Sequence, residues 1–310
     1  MWSITSGSTS LSPLPPCSIS SMCINQSTSK SVTPSRKQRM NGFISEIQRF
    51  SLHDGPGIRS TVFLKGCNMN CVWCHNPETI LAKPHLQFFE SKCIGCGNCA
   101  PGTATEAPTF TDSRGTVRVF RDNCHAKALV RIGTEMSVDD VLADVLQDIN
   151  FYRTSGGGVT LSGGEVTIQP AFAAALLKRL QSEGIHTAIQ TNLAAPWSVI
   201  ESLLPYLDLV MFDIKHMNSA THKQWTGIGN ETILENARRL NQTTVSQIAR
   251  TPVIPGFNDT VHDIQQIAEF LSGFTSLALY ELLNFNPLGA DKYTSMGKTY
   301  PLQDARPLPF

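Results

Sequence analysis

From residue 41 onward the apolar positions switch between a period of two and a period near 3.6. Phe43 to Phe50 and Ser60 to Lys65 read as two strands flanking a glycine-rich turn, Asp54-Gly55-Pro56-Gly57. Behind Ser137, a good N-cap residue, Val138, Val141, Leu142, Val145, Leu146 and Ile149 recur at helical spacing. Val159 to Leu161 reads as a strand that runs into Ser162-Gly163-Gly164-Glu165. Pro170 near the start and Gly184 past the end bracket a helix through Leu180. Further strands are expected at His186–Thr191, Leu207–Ile214, Val245–Ile254 and Leu277–Phe285, with helical stretches such as 231–241 and 260–272 between them. Strand–helix alternation at this spacing predicts an α/β fold with a parallel sheet, closed as a full or partial β/α barrel.

Two segments depart from that rhythm. Residues 1–40 are rich in Ser, Thr and Pro and contain no Asp or Glu. They read as a disordered tail or a transit-like leader, with Met40 as an alternative start. Residues 85–127 carry four cysteines and little periodicity, so they read as an insert in a barrel formed by 41–84 and 128–310. The 310 residues hold 25 basic and 25 acidic side chains, which argues against a broad nucleic-acid or anionic-membrane surface. The longest apolar runs, such as Ala171 to Leu177, fall far short of the roughly 20 residues of a membrane span.

Nine cysteines are present, and seven lie between Cys67 and Cys124. The odd total and tight clustering speak against a secreted disulfide framework and for metal binding in a reducing compartment, the cytosol or an organelle matrix. Cys67, Cys71 and Cys74 follow a strand at spacings of four and three. A closed zinc site or an ordinary 4Fe–4S site takes four protein ligands, whereas three thiolates leave one iron free for a small molecule. The rival reading is zinc with His75 as fourth ligand.

Cys67-x3-Cys71-x2-Cys74, with Trp73 before the last cysteine, resembles the signature of the radical S-adenosylmethionine (SAM) superfamily. The segments Asp54 to Arg59, Cys74-His75-Asn76-Pro77, Gly156 to Glu165, Asp213 to Met217 and Arg250 to Gly256 resemble, in order, the activating enzymes of glycyl radical enzymes. That resemblance implies a partial (β/α)6-type barrel whose 4Fe–4S cluster binds SAM. Reductive cleavage of SAM would give a 5′-deoxyadenosyl radical that takes a hydrogen from a glycine of a partner glycyl radical enzyme. It further implies SAM contacts from Gly163, Gly164, Glu165, Thr191, Asp213, Ile214, Lys215 and Arg250, with Trp73 and His75 beside the adenine. Lys215 joins the three cysteines as a candidate catalytic residue. Two positions depart from the family pattern. Gln190 replaces an acid that helps hold a monovalent cation, and Asn286 replaces a histidine that touches SAM.

Within the insert, Cys93, Cys96 and Cys99 match three ligands of a ferredoxin-type run, but Thr103 stands where its fourth cysteine belongs. Cys124 alone represents the second run. The absent ligands form one cluster as a set, so the expectation is a single auxiliary 4Fe–4S cluster on Cys93, Cys96, Cys99 and Cys124. Zinc in the same thiols, or a degenerate remnant, are the rivals. The resemblance implies flavodoxin or ferredoxin as electron donor. An iron–sulfur electron carrier without SAM chemistry is the alternative function.

Overall fold

The computed structural model describes residues 40–100, 108–112, 114–121 and 124–309. The expectations for the Ser/Thr-rich leader, and for Thr103, fall outside those residues.

The chain opens with β1 (Asn41–Ser51) and β2 (Arg59–Leu64), an antiparallel pair. Four short strands follow: β3 (His85–Phe88), β4 (Thr109–Thr111), β5 (Val117–Val119) and β6 (Leu129–Ile132). They make two separate two-stranded sheets, β3 with β6 and β4 with β5, that carry the second group of cysteines. The main sheet resumes at β7 (Thr134–Ser137), which pairs with β1. Ser137 then caps α1 (Val138–Val145) through a reciprocal capping box with Asp140. The expected single helix through Ile149 is broken by a 3-10 turn before α2 (Ile149–Ser155). Asp148, in that turn, is drawn inward to accept hydrogen bonds from Arg49 and Ser60.

The repeating part then runs β8 (Gly158–Gly163), α3 (Pro170–Ser182), β9 (His186–Thr191), α4 (Trp197–Leu203), β10 (Leu209–Asp213), α5 (Ser219–Thr226), α6 (Glu231–Asn241), β11 (Ser246–Val253), α7 (Val261–Leu271), β12 (Leu277–Asn284) and α8 (Ala290–Ser295). The strand order is β12-β11-β10-β9-β8-β2-β1-β7. β2, β8, β9, β10, β11 and β12 are parallel neighbours, so the sheet is a six-stranded partial barrel with an antiparallel edge. Its outer face buries Leu161, Ile189, Val210, Phe212 and Ala249 against Leu176, Leu177, Leu180, Ile233 and Leu240 of the helices. Among the described residues no helix is long and apolar enough to cross a membrane.

The Asp54-Gly55-Pro56-Gly57 turn is tied into the barrel rather than left on its rim. Asp54 Oδ2 accepts from Thr61 Oγ1 at 2.7 Å, and its carbonyl accepts from Thr160 Oγ1 at 2.7 Å. Arg59, fully buried, donates to the carbonyls of Pro56, Val159 and His186. Its role is to satisfy backbone acceptors at the start of three strands, where an unmet buried carbonyl is costly.

Candidate active site

The parallel strands end on one side, and the candidate residues gather at those ends, as barrel enzymes place their sites. β2 delivers Lys65 and Gly66, and the chain turns at once into the Cys67–Cys74 loop. The loop is held by backbone hydrogen bonds on both flanks: Cys67 N donates to Ile80 O, Asn70 N to Thr226 O and Val72 N to Trp225 O. α5 thus serves as an anchor for the cysteine loop, a job no apolar periodicity in 219–226 announces.

The Ser162-Gly163-Gly164-Glu165 turn packs against this loop from β8. A Cβ at Gly163, which has φ +109°, would lie 2.3 Å from Leu64 N, and one at Gly164 would lie 2.2 Å from Gly66 O. The two glycines therefore let the turn sit flush on the strand that carries Cys67. Glu165 is 1% exposed and spends both carboxylate oxygens on the protein. Oε1 accepts from Thr167 N, Thr167 Oγ1 and Thr191 Oγ1 at 3.0, 2.8 and 2.8 Å, and Oε2 accepts from Asn192 N at 2.7 Å. Glu165 and Thr191 are accordingly one buried network that ties the ends of β8 and β9 together.

That network continues to the first thiol. Asn192 Nδ2 donates to Asn68 Oδ1 at 2.8 Å and approaches Cys67 Sγ at 4.0 Å, while Met69 N donates to the same sulfur at 3.4 Å. Neither Asn68 nor Asn192 stood out from the sequence as more than motif filler. Burial raises the Cys67 thiol above its usual value, pushes Cys71 up to about 11 and pushes Cys74 up to about 12, with neighbouring thiols acting in the same direction on the latter two. Three half-buried thiols of this kind become thiolates when a metal centre supplies the compensating charge.

Asp213, Ile214 and Lys215 end β10. Lys215 Nζ donates to Asp213 Oδ2 at 2.6 Å, and Ile214 turns to the opposite, apolar side at 1% exposure. Burial alone lowers the Lys215 ammonium. Asp213 and the Cys71 thiol outweigh it and hold the group above the ordinary lysine range. Arg250, in register with Asp213 on β11, donates Nε to Glu281 Oε2 at 2.7 Å and Nη2 to His53 O at 2.7 Å. Its guanidinium thus joins β12 to the turn before Asp54. Gln190 accepts from Ser162 Oγ at 3.1 Å.

Trp73 is 6% exposed and packs on Phe257 with ring centroids 4.8 Å apart, in a cluster with Trp225. His75 Nε2 lies 2.8 Å from Asn286 O, and the Asn286 side chain accepts from Leu288 N. His75 is thereby committed to a carbonyl. Among the described residues no group of three or more His, Cys, Asp or Glu closes on a single ion. A polynuclear cluster holds its thiolates further apart than one zinc does, and three thiolates with one open corner fit a 4Fe–4S centre that takes SAM.

In the insert, Cys93, Cys96, Cys99 and Cys124 line one cavity of about 160 Å³ together with Phe88, Ala128 and Leu129. Arg118 Nη1 donates to Cys99 Sγ at 3.4 Å, Asp112 holds the guanidinium from behind at 3.0 and 2.9 Å, and the Phe88 ring lies 3.9 Å away. The fold brings Cys124 to the Cys93, Cys96 and Cys99 run here, and Arg118 is a neighbour of theirs that composition alone did not reveal.

The Radical SAM superfamily model matches residues 61–271. The isethionate sulfite-lyase activating enzyme of Oleidesulfovibrio alaskensis is 40% identical over 281 residues, 86% of this chain and 90% of that protein. The benzylsuccinate synthase activating enzyme of Thauera aromatica is 40% identical over 270 residues, 82% of each chain. The choline trimethylamine-lyase activating enzyme of Oleidesulfovibrio alaskensis is 36% identical over 276 residues, 84% of this chain and 88% of that protein. Barrel, cysteine loop and relatives agree: the chain belongs to the radical SAM superfamily and, within it, to the activating enzymes of glycyl radical enzymes.

Proposed function

We propose that Cys67, Cys71 and Cys74 hold a 4Fe–4S cluster with SAM on its fourth iron, and that this site generates the radical that activates a partner glycyl radical enzyme. The observation that carries the assignment is the set of three half-buried thiols on one loop, which among the described residues no fourth His, Cys, Asp or Glu joins. When bound, the cluster and SAM supply a one-electron reduction and a carbon-centred radical. The chain supplies the surroundings. Lys215, a buried ammonium with one acceptor among the described residues, has donors left for a carboxylate, and Asp213 has acceptor capacity left for an amine or hydroxyl. The Glu165–Thr191–Asn192 network fixes the backbone beside Cys67, and Trp73 and His75 shape the opposite wall. Gly163 and Gly164 hold the Glu165 turn at close range to Leu64 and Gly66, just before Cys67. Ile214 just past β10, Arg250 within β11 and Asn286 just past β12 are the remaining proposed SAM contacts.

The insert is read as holding one auxiliary 4Fe–4S cluster on Cys93, Cys96, Cys99 and Cys124, supported by the shared cavity and by the Arg118 cation at Cys99. A flavodoxin or ferredoxin serves as electron donor, and the clustered free thiols fit the reducing cytoplasm. The protein substrate is stated by class, a glycyl radical enzyme with an accessible glycine loop. Mixing the reduced chain and SAM with a co-encoded candidate and recording its electron paramagnetic resonance spectrum tests this. A glycine-centred doublet that requires the chain supports it; no doublet and no 5′-deoxyadenosine overturns it.

A further inference from the structure

Cys124 stands between two cavities of opposite character. On one side it closes the apolar cavity shared with Cys93, Cys96 and Cys99, which Arg121 also lines. On the other it reaches an open groove of about 540 Å³ lined by Arg121, Lys127, Arg131 and Glu135. The three cations are exposed, and among the described residues none of them is ion-paired. The chain as a whole has a formal charge of zero, so this excess of positive charge is local. Arg118, by contrast, is turned inward and spent on Cys99 and Asp112.

Lys127 adds a second, independent sign. It sits at φ +49°, in a turn closed by its own N–H donating to Cys124 O at 2.9 Å. A non-glycine residue in the left-handed region costs on the order of 1 kcal/mol, and such costs gather at functional positions. Glycine or asparagine would fill that turn more cheaply, yet the position carries a lysine at the groove.

We propose that the Arg121–Lys127–Arg131 groove docks a small acidic one-electron carrier protein, which passes its electron through Cys124 to the insert cluster. This rests on the assignment of an auxiliary cluster to the insert. In the step the carrier is oxidised by one electron, for flavodoxin from hydroquinone to semiquinone, and the cluster is reduced by one. Clustered surface charge raises association rates by about 10- to 1,000-fold and is screened by salt.

The test uses anaerobically reconstituted full chain and flavodoxin hydroquinone in a stopped-flow experiment. The expected rate of cluster reduction falls at least about 10-fold between about 0.05 M and about 0.5 M salt. In the double variant Lys127→Glu, Arg131→Glu the rate at low salt falls comparably and its salt dependence flattens, while photoreduction by neutral deazariboflavin is unchanged. A wild-type rate indifferent to salt overturns the proposal without recourse to any variant. So does a double variant with full iron content that flavodoxin reduces at the wild-type rate. Iron analysis of the wild-type chain separates the two levels: about four irons rather than about eight removes the insert cluster itself, whereas about eight with a salt-independent rate removes only the docking site.

Discussion

Lys215 Nζ lies 2.6 Å from Asp213 Oδ2, and the two side chains are 7% and 18% exposed. The pair is therefore a desolvated ion pair at the end of β10, beside the half-buried thiols of Cys67 and Cys71. Removing one partner strands the other charge, a larger penalty than the pair's net worth. Lys215→Met is expected to destabilise the protein by about 3 kcal/mol and lower Tm by roughly 5–10 °C. The double variant Lys215→Met, Asp213→Leu is expected to recover most of that loss while still forming no 5′-deoxyadenosine. Anaerobic calorimetry beside product analysis checks both; a double variant less stable than the single one contradicts the account.

Gly163→Ala tests the flush packing of the turn on the cysteine loop. The added methyl meets the backbone of Leu64 at 2.3 Å in a left-handed conformation, so main chain rather than a side chain must give way. A loss on the order of 3 kcal/mol is expected, with reduced iron retention at Cys67. Gly95→Ala in the insert, whose Cβ meets nothing within 4 Å, is expected to cost less, paying only for its φ of +69°. Equal melting temperatures for the two variants would contradict this reading.

Acid sensitivity follows from the seam between barrel and insert. Lys65 Nζ donates to Glu78 O at 2.6 Å and lies 3.1 Å from His85 Nδ1. Burial, with Lys65 nearby, lowers His85 to about 4 from 6.5, so the ring is neutral in the fold and takes up a proton on unfolding. Its contribution to stability is complete above 6.5 and is lost as pH falls toward about 4. His85→Gln is expected to flatten the pH dependence of stability across that window, read from denaturation midpoints. An unchanged slope would refute the assignment.

The barrel was legible because its signals are local. β9 occupies His186–Thr191 as the alternation predicts, and α3 runs from Pro170 to Ser182 ahead of Gly184 at φ +69°. Helix α5 was not, since its sequence is polar and its worth lies in two carbonyls offered to Asn70 and Val72. The cysteines and the Asp213–Lys215 pair were legible from spacing and residue type. The work of Glu165 as a four-bond tie was not, because spacing does not tell a ligand-binding carboxylate from one consumed by the fold. Leu193 shows the same limit. It keeps φ +56° while wholly buried, its carbonyl held by Asn236.

Iron content distinguishes the readings of the insert. The wild-type chain is expected to bind about eight irons and Cys96→Ala about four, with the Cys67-bound centre intact. Zinc in the four thiols of the insert would instead give about four irons in both proteins, and metal analysis would find the zinc directly.

Activation by this chain requires the Cys67, Cys71 and Cys74 loop to leave one corner of its cluster to SAM. Electron paramagnetic resonance of the reduced, oxygen-free protein tests this most directly, using a Cys96→Ala background so that only this centre is seen. Addition of SAM is expected to change the g-values of the signal and to broaden it when the SAM carries a nuclear-spin label on its amino nitrogen or carboxylate. A spectrum identical with and without SAM would contradict the account.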